Sequence, residues 1–250
     1  MGTTAVAQEK PDGYTWLCTT ASHTNIPAFN KNVSYDPVRD FTAVTMLARN
    51  FGQVLIVKPS LPAKSVQELI ALAKQQPGKI TYGSAGIGTA SHIPSEVFKS
   101  MTGTDILGVQ YKGVPQVIND LLGGHIDTFI VGTQIALPLS QEGRVRALAM
   151  TGSKRWKGLP DVPTLQECGL KDFNIVNWFG VWLPAGASPK LVSRIQTEIA
   201  KALTDADVKQ QFDKLGVEPV GSKPEEFAKF VEQDAAFTLQ IARKIGAAAK

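Results

Sequence analysis

The chain has 250 residues, 43% hydrophobic and 19% charged, which is enough to bury a sizeable core as one large domain or two small ones and reads as an ordinary soluble globular composition. Its 26 Lys and Arg against 22 Asp and Glu give a net charge of +4. The basic residues stand singly (Lys58, Lys64, Lys74, Lys79, Lys99, Lys112), without a dense run or an aromatic-interleaved stripe, so nucleic acid is not an expected partner. A net positive field does mildly favour encounter with small anions.

In chain order, the first strand-like run covers residues 14–19 and the next 54–57. Ser65-Val66-Gln67-Glu68 forms a capping box that opens a helix with Val66, Leu69, Ile70 and Ala73 on one face, and Pro77-Gly78 stops it. A strand at 79–82, a glycine-rich loop and a helix starting near Ser91 follow, then a strand at 106–110. The stripe Val117, Ile118, Leu121 and Leu122 ends at Gly123-Gly124. Further strands fall at 126–131, 146–151 and 176–183. Ser188-Pro189 opens a helix with Leu191, Val192, Ile195 and Ile199 on one face. Thr204 is expected to cap the next helix, with Val208, Phe212 and Leu215 inward and Gly216 as its stop. A long last helix after Ser222-Lys223-Pro224 places Phe227, Phe230, Val231, Ile241 and Ile245 on or near one side.

Strands and helices alternate in the middle, whereas helices follow one another at the end. That pattern predicts a parallel α/β unit at 56–177 and a second, discontinuous domain from residues 1–55 and 178–250. The early strand has no local partner and is expected to pair with the late segment. The chain then crosses between domains near Val54 and again near Trp178, a natural hinge with a cleft beside it.

Metal, redox and targeting signals are absent from the sequence. Cys18 and Cys168 match no C-x-x-C spacing and are expected to be free thiols. His23, His92 and His125 form no H-E-x-x-H pattern, so no metal and no cofactor is expected. The opening residues, Met1 to Glu9, show neither a basic n-region nor an apolar h-region, and no segment approaches ~18 uninterrupted apolar residues. As written, the chain reads as leaderless, which would leave it cytoplasmic.

The most informative stretch is Ile80-Thr81-Tyr82-Gly83-Ser84-Ala85-Gly86-Ile87-Gly88-Thr89-Ala90-Ser91-His92-Ile93-Pro94. Pro94 lacks an N–H and is tolerated only in a helix's first turn, so the helix cap lies near Ser91. Three glycines let the preceding loop turn its amides inward beside the positive end of the helix dipole, an arrangement that accepts a carboxylate or a phosphate. Mere turn-making between a strand and a helix is the bland reading of the same residues. The dinucleotide order G-x-G-x-x-G, the phosphate-loop G-K-[ST] and the nucleophile elbow G-x-S-x-G are all unmet, so the stretch carries no enzyme motif.

Seven motifs in order resemble the periplasmic receptors of tripartite tricarboxylate transporters, the Bug or TctC-type family. They are Pro11-Asp12-Gly13-Tyr14-Thr15, the loop from Gly83 to His92, Val109-Gln110-Tyr111-Lys112-Gly113, Asp120-Leu121-Leu122-Gly123-Gly124-His125-Ile126-Asp127, Arg144-Val145-Arg146-Ala147-Leu148-Ala149, Leu159-Pro160-Asp161-Val162-Pro163-Thr164, and Trp178-Phe179-Gly180 with Pro184-Ala185-Gly186. The resemblance implies an α/β, two-domain periplasmic-binding-protein type II fold (Venus flytrap), hinged at two crossing strands. It also implies a periplasmic solute-binding protein, not an enzyme, that captures a mono- or dicarboxylate for delivery to membrane permease subunits. By the same resemblance Gly83, Ser84, Ala85, Gly86 and Thr89 form the second-domain clamp and Ser22 and His23 approach from the first. Asp127, at the C-terminal end of its strand, orders the ligand or its waters.

Each of these residues has a structural alternative. Ser22 and His23 read equally as a helix cap and a solvated neighbour, His92 as a structural hydrogen-bonder, Asp127 as a helix cap and Trp178 as core. By the same resemblance, relatives begin with a signal peptide, then a strand, a Gly-rich loop, a helix and a second strand ahead of the equivalent of Met1, so the first domain is expected to lack its N-terminal strand-helix-strand. A homodimer across the open sheet edge would fill such a gap. An α/β enzyme acting on a small organic acid through Asp127 or His92, and a ligand-sensing module, are the competing functions.

Overall fold

The computed structural model describes residues 2–244 and 246. Among them the elements are, in chain order, α1 (Gly2–Ala7), β1 (Leu17–Thr20), α2 (Ser22–Phe29), β2 (Phe41–Asn50), β3 (Gln53–Val57), α3 (Val66–Gln75), β4 (Thr81–Ser84), α4 (His92–Thr102), β5 (Leu107–Gln110), α5 (Val114–Leu122), β6 (Thr128–Gly132), α6 (Thr133–Gln141), β7 (Arg146–Met150), β8 (Trp178–Pro184), α7 (Pro189–Ala202), α8 (Ala206–Lys214), β9 (Val217–Pro219) and α9 (Pro224–Lys244). Two compact units result, one from both chain ends (to Arg49 and from Asn177) and one contiguous, Asn50–Val176. A division at residue 55 would cut β3; the observed one keeps that strand whole.

The first unit is built on a four-stranded sheet in the order β1-β8-β2-β9. β1 finds its partner in the late segment, antiparallel to β8, with Leu17 opposite Trp182 and Thr20 opposite Phe179. Side chains of a strand alternate between faces, and β8 uses both. Trp178 and Trp182 pack on Phe227 and Val231 of α9, while Val181 and Leu183 pack on Val192 and Ile195 of α7. Gly180 makes room on the first face, since a Cβ there would come within 2.2 Å of Phe227 Cζ.

β2, the longest strand, has no counterpart among the sequence expectations. Register shifts between Ala43 and Thr45 and between Met46 and Ala48 break its alternation, so the period-2 signal is lost. Two helix expectations are corrected. Asp205, not Thr204, caps α8 by accepting from Asp207 N–H (2.9 Å) and Val208 N–H (3.3 Å); Thr204 turns its hydroxyl back to Lys201 O. No residue of α8 is buried and Leu215 is exposed, so this helix lies on the surface. In α9, Phe227 and Val231 are buried as the apolar stripe requires; Ile245 lies outside the described residues.

The second unit holds a five-stranded sheet in the order β5-β4-β6-β3-β7. It is mixed and not, as the alternation predicted, parallel: β4 runs parallel to β5 and β6, but β3 is antiparallel to both β6 and β7. α5 covers one face through Val117 and Leu121, packed in one cluster with Ile126 and Phe129. Thr151 clasps both ends of the unit. It accepts from Gln53 N–H (2.7 Å), donates its hydroxyl to Ile175 O (2.6 Å), and its own N–H bonds Gln53 O (2.8 Å).

Candidate functional site

β4 ends at Ser84, and the chain reaches α4 through a turn that bends on Gly86 (φ 129°) and Gly88 (φ 77°), backbone settings that glycine alone adopts without strain. Hydrogen bonds tie the turn at several points. Ser84 Oγ donates to Gly86 O (2.9 Å) and accepts Gly86 N–H (3.2 Å). Ala85 N–H goes to Ser91 Oγ (3.0 Å), Gly88 N–H to His92 Nδ1 (3.3 Å) and Thr89 Oγ1 to Gly86 O (2.7 Å). The N–H groups of Ile87, Ala90 and Ser91 have no acceptor among the described residues. They lie in the turn that leads into the first turn of the 11-residue α4, whose dipole favours negative charge. Free donors on a rigid, uncharged frame at a helix N-terminus suit a carboxylate.

The expected site residues divide into three groups. Ser84, Ala85, Gly86 and Thr89 build the turn, and Ser91 and His92 hold it. Ser91 was legible only as a cap; its hydroxyl in fact serves Ala85 and not the helix. Gly83 stands in the sheet, opposite Val109 and Phe129, and is glycine because a Cβ would meet Val117 Cγ1 at 2.3 Å and Ile126 Cδ1 at 2.6 Å.

Asp127 is corrected from the C-terminal to the N-terminal end of its strand, immediately ahead of β6. Its carboxylate bonds Thr81 N–H (2.8 Å) and Thr81 Oγ1 (2.9 Å) and pairs with Lys58 Nζ (2.8 Å). Thr81 begins β4 and the turn follows the strand's other end, roughly 10 Å away at about 3.3 Å per residue.

Ser22 and His23 sit at the start of α2 in the other unit. Ser22 Oγ meets Thr20 Oγ1 at 3.0 Å, and both groups are half-buried. His23 is 1% exposed, which overturns its reading as a solvated neighbour. Its ring stacks on Tyr35 and sits edge-on to Phe41 and close to Trp182. Nε2 donates to Pro37 O (2.9 Å), whereas Nδ1 has no hydrogen-bond partner among the described residues. Burial drives its pKa down to about 4, against the opposing pull of the Pro37 carbonyl and Asp36. Nearby, Thr24 donates to Asp234, whose pKa burial pushes up in spite of bonds from Thr24 and Trp178. Among the described residues no cluster of three potential metal ligands occurs and no helix is long and apolar enough to cross a membrane.

The tripartite tricarboxylate transporter family receptor model matches residues 1–247. The chain belongs to this family. The receptor is 31% identical to protein BugT of Bordetella pertussis over 252 residues, 100% of this chain and 77% of that one. Among solved structures it is similar to Rpa4515 of R. palustris with adipate (33% identity, TM-score 0.86, 99% of this chain and 82% of that one). It is also similar to MatC of Rhodopseudomonas palustris with bound malate (26% identity, TM-score 0.80, 96% and 82%). Its fold is thus the two-unit α/β architecture of the family's periplasmic binding proteins, and these relatives are solute-binding receptors, not enzymes.

Proposed function

We propose that the receptor captures a small mono- or dicarboxylate by seating a carboxylate on the turn at residues 86–90, acts in the periplasm, and delivers the acid to the permease subunits of a tripartite transporter. The observation that carries this reading is the group of unbonded amides, Ile87, Ala90 and Ser91, held in a hydrogen-bonded frame at the N-terminus of α4. The adipate and malate found with two similar proteins support the substrate class. Backbone donors are indifferent to what lies beyond the carboxylate, so the frame selects the acid group and leaves the rest of the ligand to other contacts.

A thermal-shift series with acetate, benzoate, malate, adipate and citrate tests the proposal. An acid at a hundred times its dissociation constant adds about 2.7 kcal/mol of stability, which moves the melting of a unit of this size by several degrees. A shift with carboxylates and none with the matching amides or alcohols is expected. No shift with any acid, from a chain that melts cooperatively, would overturn the reading.

A further inference from the structure

His92 ties the turn at its second bend. It is buried at 5% exposure in the first turn of α4, and its Nδ1 accepts Gly88 N–H at 3.3 Å. Gly88 lies directly between Ile87 and Ala90's neighbour Thr89, at the second left-handed bend. An imidazole accepts at Nδ1 only when that nitrogen is unprotonated. Once the ring is cationic, Nδ1–H faces Gly88 N–H, two donors oppose each other, and the bend loses its tie.

We propose that His92 is a positioning residue that latches the turn in its carboxylate-accepting form through Gly88, so that capture of an acid requires the neutral imidazole. This rests on the reading of the turn as the acid site.

The surroundings of the ring are compatible with such a latch. α4 packs on β4 and β6. β6 carries no ionisable side chain, and β4 carries only Tyr82, whose phenol donates to Glu96 Oε1 (2.5 Å). On α4 itself Glu96 and Lys99 pair at 2.9 Å, so their influences on the ring oppose each other. Burial is the largest influence, and it sets the pKa of His92 below its ordinary 6.5, with Glu96 raising it and Lys99 lowering it. The latch is therefore closed at neutral pH and opens on acidification.

The test compares the wild-type chain with His92→Asn and His92→Ala. Asn presents Oδ1 near the place of Nδ1 and accepts without titrating, whereas Ala accepts nothing. Two readouts are taken between pH 8 and pH 5: hydrogen exchange and chemical shift of the Gly88 amide without ligand, and affinity for adipate. Loss of one neutral hydrogen bond is expected to cost H92A roughly three- to ten-fold in affinity at pH 8, with a matching rise in Gly88 exchange. H92N is expected to bind within about three-fold of wild type at pH 8 and to lose less affinity on acidification. Protonation of adipate itself cancels in that comparison.

A Gly88 amide unchanged in H92A, or a wild-type Gly88 amide that stays unchanged once the His92 ring is seen to protonate, would overturn the latch. A wild-type chain that takes no acid at pH 8 would overturn the receptor reading instead, and the ligand-free Gly88 amide would still decide the latch.

Discussion

Substituting Gly83 by Ala asks whether that glycine serves packing or ligand. A Cβ at this position would stand 2.3 Å from Val117 Cγ1 and 2.6 Å from Ile126 Cδ1, where carbon atoms rest at about 3.5–4.0 Å. Both neighbours are fully buried, so neither can swing into solvent. Overpacking of this kind costs roughly 1–3 kcal/mol, and two simultaneous overlaps belong near the upper end. Ala for Gly in a strand returns about 0.5–1 kcal/mol, leaving a net loss of about 2 kcal/mol. Val117→Ala alone removes two buried methyl groups for a further loss of about 2 kcal/mol. In the double variant the new methyl occupies the space vacated by Cγ1, so the combined loss is expected to stay near 2 kcal/mol and not reach 4, a coupling of about 2 kcal/mol. Hydrogen exchange of the β4 and β6 amides reads this locally, without assuming that both units unfold together. Additive losses, or a stable G83A that has lost its affinity for acids, would refute the packing argument.

Acidification should weaken the first unit through His23. Its folded pKa of about 4 lies below the ordinary 6.5, so between those values the unfolded chain binds a proton that the folded chain excludes. Its contribution is intact above pH 6.5 and lost as the pH falls towards 4, by roughly 3 kcal/mol at 1.36 kcal/mol per unit. Asp234, shifted up by burial, gains stability on acidification and opposes this, so the measurement is the difference between wild type and His23→Gln in urea melts followed by Trp fluorescence; equal pH slopes would refute the assignment. Asp127→Ala removes the Lys58 pair and the acceptor of Thr81, and should lower stability by about 2 kcal/mol while leaving adipate affinity at its wild-type value. A ten-fold loss of affinity would return Asp127 to the ligand.

What the sequence made legible depended on whether a signal is local. Ser65 caps α3 by accepting Glu68 N–H (3.2 Å), as the S-x-x-E spacing announces, and the Gly83 to His92 stretch announces strand, turn and helix. β2 stayed hidden because its two bulges erase alternation. Gly83 and Gly86 look alike as letters, yet one accommodates Val117 and the other a left-handed bend; only tertiary contacts separate them. His23 was placed beside the ligand by family resemblance alone, and the burial of its ring among Tyr35, Phe41 and Trp182 depends on tertiary contacts that no local pattern announces. Asp127 was assigned to the wrong end of a strand whose partner, Thr81, lies 46 residues away.

The clasp at Thr151 bears on the order in which the chain can fold. β1 and β2 leave the ribosome first, but β8, which lies between them in the sheet, follows only after the whole of Asn50–Val176. Closing a flexible loop of that length carries an entropy penalty of about 4 kcal/mol before any strand pairs. Once the contiguous unit has formed, Thr151 holds Gln53 and Ile175 on a single side chain, and the two chain ends emerge already together. Pairing of β2 with β8 is therefore expected to follow formation of the inserted unit, and a Thr151→Val chain should form its first unit more slowly while reaching the same sheet; equal refolding rates by stopped-flow Trp fluorescence would refute this.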